Sequence, residues 1–471
     1  MNTFLHTSPE KLGISSTALL KLMQRLGKLE YINSFILMRH GQLCLETYVA
    51  PYEREVPHQL FSLSKSFVSC AIGIAQSEKL LSINDKLADF FPEFAHCITD
   101  ERMRAVTLKD LLTMRSGHLS CPTSNAEFWQ SADWRQTYLA SKLDTEPGTE
   151  FTYNSIATYM LSAVITKVTG QNVREYLMKR LFEPLAIAPG IWECCPQGIN
   201  CGGWGLYLKT ADIAKFAQCL LQQGVWQGKQ LIPQDYLAEA TSFQSDNSKN
   251  AAPDWKLGYG YQFWRSRHGF RGDGAAGQYA VVLPEEDIAI AVTSCVGNMQ
   301  DILTAIWEEL LPAIANEPLK EDAEAANELK MYCSNMQIPV VQGDITYRNK
   351  NAFFEFADNP EQIKSCEVCF GNDDCTLTFN GPHGIEQLRA GFGKFAFSLL
   401  QLSDRKTHPV FASAAWKEND ILEIRSYIAD GIYKDIWQID FNDPDEPVKN
   451  QNLCSCFRPQ KPRLLLKKQS K

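Results

Sequence analysis

The chain has 471 residues, 45% hydrophobic and 21% charged, with a formal net charge of −9. That length exceeds one ordinary hydrophobic core and implies two or three domains. The acidic balance argues against nucleic acid or an anionic membrane as the main partner, and the only basic cluster, Lys461 to Lys471, reads as a solvated terminus.

At the start, MNTFLHTSPEKLG has no charged stretch followed by an apolar one, so no secretory signal is expected. Ser34–Arg39 and Gln42–Glu46 read as paired strands around a His40-Gly41 turn. Helical patterns follow at Ser62–Gln76, Thr107–Met114, Ile156–Thr169 and Thr210–Gln223. Thr107 and Thr210 stand where N-caps are wanted, and Asp110 completes a possible capping box with Thr107. Tyr279–Leu283 and Ile288–Ser294, separated by Pro284-Glu-Glu-Asp287, form a hairpin signal. Residues Asn316 to Lys330 turn acidic and alanine-rich, as a helical linker would. Beyond them, runs such as Ala352–Phe356, Cys375–Phe379, Ile421–Arg425 and Asp435–Ile439 alternate with period two, the mark of an antiparallel β domain. The expected division is 1–314, a linker at 315–330, and a β domain at 331–471.

No apolar run approaches the ~20 residues of a membrane span. The longest, Phe67 to Ala75, is broken by Ser69, Cys70 and Gly73. Fifteen cysteines without a framework spacing suggest free thiols in a reducing cytoplasm. Cys366-x-x-Cys369, Cys375 and Cys454-x-Cys456 lack the paired histidines and spacing of a zinc site, and no phosphate-binding loop or His-Glu-x-x-His is present, so no metal or cofactor is expected.

Chemistry concentrates in LFSLSKSFVSCAIGIA, where Ser62 and Lys65 stand three residues apart. On a helix, such positions share a face with Cβ atoms ~5–6 Å apart, within reach for proton transfer. A serine hydroxyl needs an adjacent base, and a lysine serves when burial or a neighbouring charge lowers its pKa. The spacing alone says little, because it recurs at Ser8–Lys11 and Ser403–Lys406. Ser8 looks like a helix cap and Ser403 lies in a polar turn, whereas only Ser62 opens a long apolar helix.

The wider pattern is more specific. FSLSKSF, Pro147–Ser155 (PGTEFTYNS), Gly202–Pro233 and Leu257–Trp264 (LGYGYQFW), in that order and at those distances, resemble the β-lactamase-related serine hydrolases over residues 10 to 310. That superfamily includes class C β-lactamases, D,D-carboxypeptidases, family VIII-type esterases and 6-aminohexanoate-dimer-type amide hydrolases. The resemblance implies an α/β (α+β) fold, a β-lactamase/transpeptidase-like antiparallel sheet flanked by helices. An all-helical subregion near 80–200 and the C-terminal antiparallel β domain would complete it.

It also implies an acyl-enzyme on Ser62, with Lys65 and Tyr153 moving protons. Tyr153-Asn154-Ser155 matches the family's Tyr-x-Asn motif except that Ser155 replaces the asparagine. The third motif, usually Lys-Thr-Gly or His-x-Gly, is represented by Gly272-Asp273-Gly274, with His268 as the alternative source of the missing cation. Gly274, Ala275 and Gln278 would line the substrate beside Ser155, and the Ala275 N–H would join that of Ser62 in the oxyanion hole. Loss of the cation argues against β-lactamase activity, and a cytoplasmic enzyme, which would not meet cross-linked cell wall, is expected to act on a small ester or amide. Two alternatives remain: a D,D-peptidase or D-amino-acid amidase acting on recycled peptides, and a penicillin-binding-like scaffold whose site has decayed.

Overall fold

A computed structural model describes residues 4–348, 350–401, 406–452 and 463–467. The chain divides into two compact units, one comprising residues up to Tyr48 and Pro57–Ser334, the other Val49–Val56 and the residues from Asn335 onward.

In the first unit, α1 (Ser16–Gly27) leads into β1 (Ile32–Arg39) and β2 (Gln42–Tyr48), followed by β3 (His58–Gln59) and α2 (Ser64–Ser77). Helices α3 (Leu108–Leu112), α4 (Ala126–Gln130), α5 (Trp134–Leu139), α6 (Ser155–Thr169) and α7 (Val173–Leu177) come next, and residues 80–200 contain no strand among those described. Then follow β4 (Tyr207–Leu208), α8 (Thr210–Leu221), β5 (Val225–Trp226), β6 (Lys229–Gln230) and α9 (Gln234–Ala240). The unit closes with β7 (Trp264–Arg265), β8 (Phe270–Gly274), β9 (Gln278–Leu283), β10 (Ile288–Ser294), α10 (Gln300–Ala305) and α11 (Ala323–Ser334).

The main sheet is antiparallel throughout, in the order β2-β1-β10-β9-β8-β7. His40 and Gly41 both take positive φ (52° and 70°), which two-residue hairpin loops favour because it matches the strand twist. Every residue of β1 is buried. Ile36 and Met38 join one core with side chains of α2, α6 and α8, while Phe35 and Leu37, also buried, lie on the opposite face as period two requires. α8 packs against β1, β9 and β10, and α1 packs against α10 and α11.

The Thr107–Asp110 capping box is present in both directions. Thr210 differs from expectation: Lys209 is the N-cap, and the Thr210 hydroxyl bonds Ser34 Oγ at 2.7 Å, tying α8 to β1. A buried side-chain partner outcompeted the local cap.

The second unit is one curled sheet of β11 (Ala352–Glu355), β12 (Ser365–Phe370), β13 (Asp374–Gly381), β14 (Gly384–Phe392), β15 (Ala396–Gln401), β16 (Thr407–Trp416), β17 (Ile421–Ile428), β18 (Lys434–Asp440) and β19 (Val448–Asn452). Its pairings are antiparallel except for a short parallel contact of β14 with β16. Leu464 bridges Val448 and Leu466 bridges Phe356, so residues 463–467 connect the last strand to the end of the first. Inside pack Cys366, Val368, Cys375, Leu377, Ala412, Trp416 and Ile424. Val49–Val56 belongs here through Ala50, which donates to Met336 O (3.0 Å) and accepts from Ile338 N (2.7 Å), and through Tyr52, edge-on to Phe411.

Candidate active site

Ser62 lies in a 3-10 turn, Phe61–Leu63, that runs into α2. The sequence pattern placed Ser62 in the α-helix itself; the tighter turn precedes it. Phe61 adopts φ 48°, a conformation that costs a non-glycine residue energy and persists where surrounding structure enforces it. Here the neighbours do so on both sides: Leu60 N donates to Leu206 O, and α2 is buried from Ser64 to Ala75. The result is a half-exposed Ser62 on a rigid base.

Lys65, one turn later, is 1% exposed. Its Nζ donates to Ser62 Oγ at 2.9 Å, Ser155 Oγ at 3.0 Å and Gly203 O at 2.6 Å. Burial pushes its pKa down to about 7, against the opposing pull of Cys121 and Asp273. A neutral amine fits the same cage: two N–H groups serve Ser155 and Gly203, and the lone pair receives the Ser62 proton.

Tyr153 sits before Asn154, which caps α6 through Oδ1 bonds from Ile156 N and Ala157 N. The Tyr153 ring lies 4.7 Å from Lys65 Nζ and stacks on Trp264 at 5.4 Å. Burial raises the phenol's pKa, partly offset by its hydrogen bond with Ser62. The phenol therefore stays protonated and available as a donor at neutral pH.

Gly272 and Gly274 serve close approach. A Cβ at Gly274 would stand 2.0 Å from Leu60 O, and one at Gly272 would stand 2.5 Å from Leu63 Cδ1 and 2.6 Å from Ser66 Oγ, so β8 can press against the Ser62 turn only as glycine. Asp273 faces the other way, ion-paired at 3.0 Å with the fully buried Arg271, whose guanidinium lies 4.4 Å from the Trp255 ring. Burial raises the Asp273 pKa while Arg271 holds it down.

Ala275 is half-exposed at the β8–β9 turn. Gln278, expected to line the substrate, is instead fully buried. Its carboxamide donates to Ala275 O and Ser294 O and accepts from Ser294 N, so it shapes the turn rather than facing a ligand. His268 lies in the β7–β8 turn at the far end of β8 from Gly274, its ring 5.2 Å from Trp307. It does not supply a cation beside Lys65.

The other Ser-x-x-Lys pairs lack this setting. Ser8 and Lys11 both reach Glu321 on the surface, without a helix-capping bond from Ser8, and Ser403 lies outside the described residues. Cys366 and Cys369 sit three apart in β12 and so point to opposite faces, while Cys454 and Cys456 lie outside the described residues. Among the described residues no cluster of metal-ligating side chains occurs, and no helix is long and apolar enough to cross a membrane.

Two contributors to this geometry were not singled out as site residues from the sequence. The Gly203 carbonyl belongs to the glycine-rich GGWG segment, which could have been suspected from its glycines: a Cβ there would stand 2.5 Å from Ser155 O. Cys121, bonded to Asn154 Oδ1 at 3.5 Å, carried no signal.

A beta-lactamase family model matches residues 33–302. The chain is 23% identical over 326 residues to the 6-aminohexanoate-dimer hydrolase of Paenarthrobacter ureafaciens, covering 64% of this chain and 82% of that one. It is 25% identical over 281 residues to penicillin-binding protein 4 of Amycolatopsis lactamdurans, covering 51% and 72%. A solved penicillin-binding-protein homologue from Caulobacter crescentus shares the fold with a TM-score of 0.52 at 17% identity, over 62% of this chain and 98% of its own.

Proposed function

Because the chain belongs to the beta-lactamase family, we propose that it is a serine hydrolase that cleaves a small ester or amide through an acyl-enzyme on Ser62. The observation that carries this reading is the 2.9 Å contact between Ser62 Oγ and the amine of a buried lysine whose pKa falls to about 7. In this scheme neutral Lys65 takes the Ser62 proton as Oγ attacks the carbonyl, and the N–H groups of Ser62 and Ala275 hold the oxyanion. The leaving alcohol or amine departs with a proton delivered through Tyr153. Water then attacks the acyl-enzyme, its proton passes back to the Lys65–Tyr153 pair, and Ser62 is regenerated. Ser155 and Gly203 keep the amine aimed at Ser62 in both protonation states. A cytoplasmic setting fits the free cysteines of the described residues.

A fluorophosphonate tests the nucleophile: the adduct mass should fall on the peptide carrying Ser62 and vanish in Ser62→Ala. Labelling elsewhere, or none under conditions that label a control hydrolase, would favour the decayed scaffold.

The match to a penicillin-binding protein supports a second reading, a D,D-peptidase or D-amino-acid amidase. Against it stands Gly272, where a substrate-carboxylate-reading cation is expected, and the commitment of Arg271 to Asp273. Labelled penicillin should therefore fail to acylate Ser62; stoichiometric acylation would reverse the ranking.

A further inference from the structure

Three tryptophans meet beside the amine cage. Trp134, 6% exposed, forms the base, with Trp129 at 5.4 Å perpendicular to it and Trp204 at 6.0 Å tilted over it. Trp129 and Trp204 meet at 5.7 Å and 62°, making an open corner in which Trp129 stays 48% exposed. A single exposed aromatic is ordinary on a protein surface. Two independent connections to the residues around Lys65 set this pair apart. Trp204 directly follows Gly203, whose carbonyl holds Lys65 and whose Cα abuts Ser155. Trp129 donates from Nε1 to Thr123 O, and Thr123 Oγ1 lies 3.0 Å from the Cys121 Sγ that bonds Asn154. Both paths therefore end at the N-terminus of α6, on its cap Asn154 and first residue Ser155, which faces Lys65 Nζ.

The corner is also held in advance of any ligand. Trp192 Nε1 fixes the Trp204 carbonyl, the Trp129 indole is fixed by Thr123 O, and Phe128 packs on Trp134 at 5.3 Å. Preorganised aromatic faces bind a flat ring without the ordering cost that mobile side chains carry.

We propose that the Trp129–Trp204 corner is a subsite for an aryl group of the substrate. The proposal rests on the Ser62 hydrolase reading and narrows its substrate class to aryl-bearing esters or amides.

The test uses two matched ester pairs free of other rings, vinyl phenylacetate against vinyl acetate for the acyl side and benzyl acetate against ethyl acetate for the alcohol side. In the wild-type protein, kcat/KM should favour the aryl member by about tenfold or more in one pair. That ratio should fall several-fold in Trp129→Ala and in Trp204→Leu. Independently of turnover, phenylacetate or benzyl alcohol should quench tryptophan fluorescence of Ser62→Ala saturably, and Trp129→Ala should weaken that binding. Absence of an aryl preference in both pairs, or a preference that survives both substitutions, overturns the subsite. Turnover that persists in Ser62→Ala would count against the nucleophile instead, leaving the fluorescence titration to decide the corner by itself.

Discussion

Lys65 meets Ser62 at 2.9 Å from a position that solvent barely reaches, while the serine itself remains half-exposed. This asymmetry matters chemically. In the proposed scheme the amine is kept dry, which favours the neutral form a base needs, and the serine hydroxyl is left open to an incoming carbonyl.

The pH dependence follows. With the Lys65 pKa near 7, kcat/KM for an ester should climb through an acid limb centred about there and level off above it. Lys65→Arg places a permanent cation at Ser62 and should cost about a thousandfold or more. A flat profile from pH 5 to 9 in the wild type would remove Lys65 as the base.

The same group leaves a mark on stability. Its folded pKa lies below the ordinary lysine value of 10.5, so between about 7 and 10.5 the unfolded chain holds more protons and stability rises with pH. The penalty is fully present below pH 7. Urea midpoints should show Lys65→Met gaining most over wild type at pH 6, with the gain shrinking towards pH 10. An advantage independent of pH would mean that Lys65 is not titrating there.

Gly274 and Gly203 are predicted to tolerate no Cβ. Gly274→Ala drives a methyl against Leu60 O next to the nucleophile turn, and Gly203→Ala drives one against Ser155 O. Each should lower stability by about 1–3 kcal/mol and lower ester turnover further than that loss explains. Gly381→Ala, which would meet nothing within 4 Å and, like Gly203 and Gly274, has no positive φ, supplies a clash-free control. Equal activity in all three would show that β8 and the GGWG segment do not support the site.

The Arg271–Asp273 pair yields a stability prediction. Removing the cation alone strands a buried carboxylate, so Arg271→Met should cost about 3–5 kcal/mol. The double variant Arg271→Met with Asp273→Leu should recover much of it. Denaturant melts of the two single variants and the double variant measure the coupling; strict additivity would refute it.

Much of this candidate site was legible because its geometry is built from side chains that the sequence names directly. Ser62, Lys65, Tyr153 and Ser155 converge as their motifs suggested. What escaped reading was carried by backbone. The left-handed φ of Phe61 leaves no trace in residue type, since phenylalanine is an improbable choice for positive φ, and the Gly203 carbonyl was signalled only by the glycines around it. Gln278 misled because a polar side chain after a glycine-rich turn suggests a ligand contact, yet three backbone groups claim it. In the fold, alternation revealed the strands of the second unit, but not the parallel contact of β14 with β16. Nor did any shift in composition mark Val49–Val56 as part of that unit.

That short excursion bears on synthesis. When the ribosome has released only the residues before 335, Ala50 still lacks Met336 and Ile338 as partners, and Tyr52 still lacks Phe411. The stretch just upstream of Ser62 thus waits for the last third of the polypeptide, and translation order delays the final anchoring of a segment made among the first sixty residues.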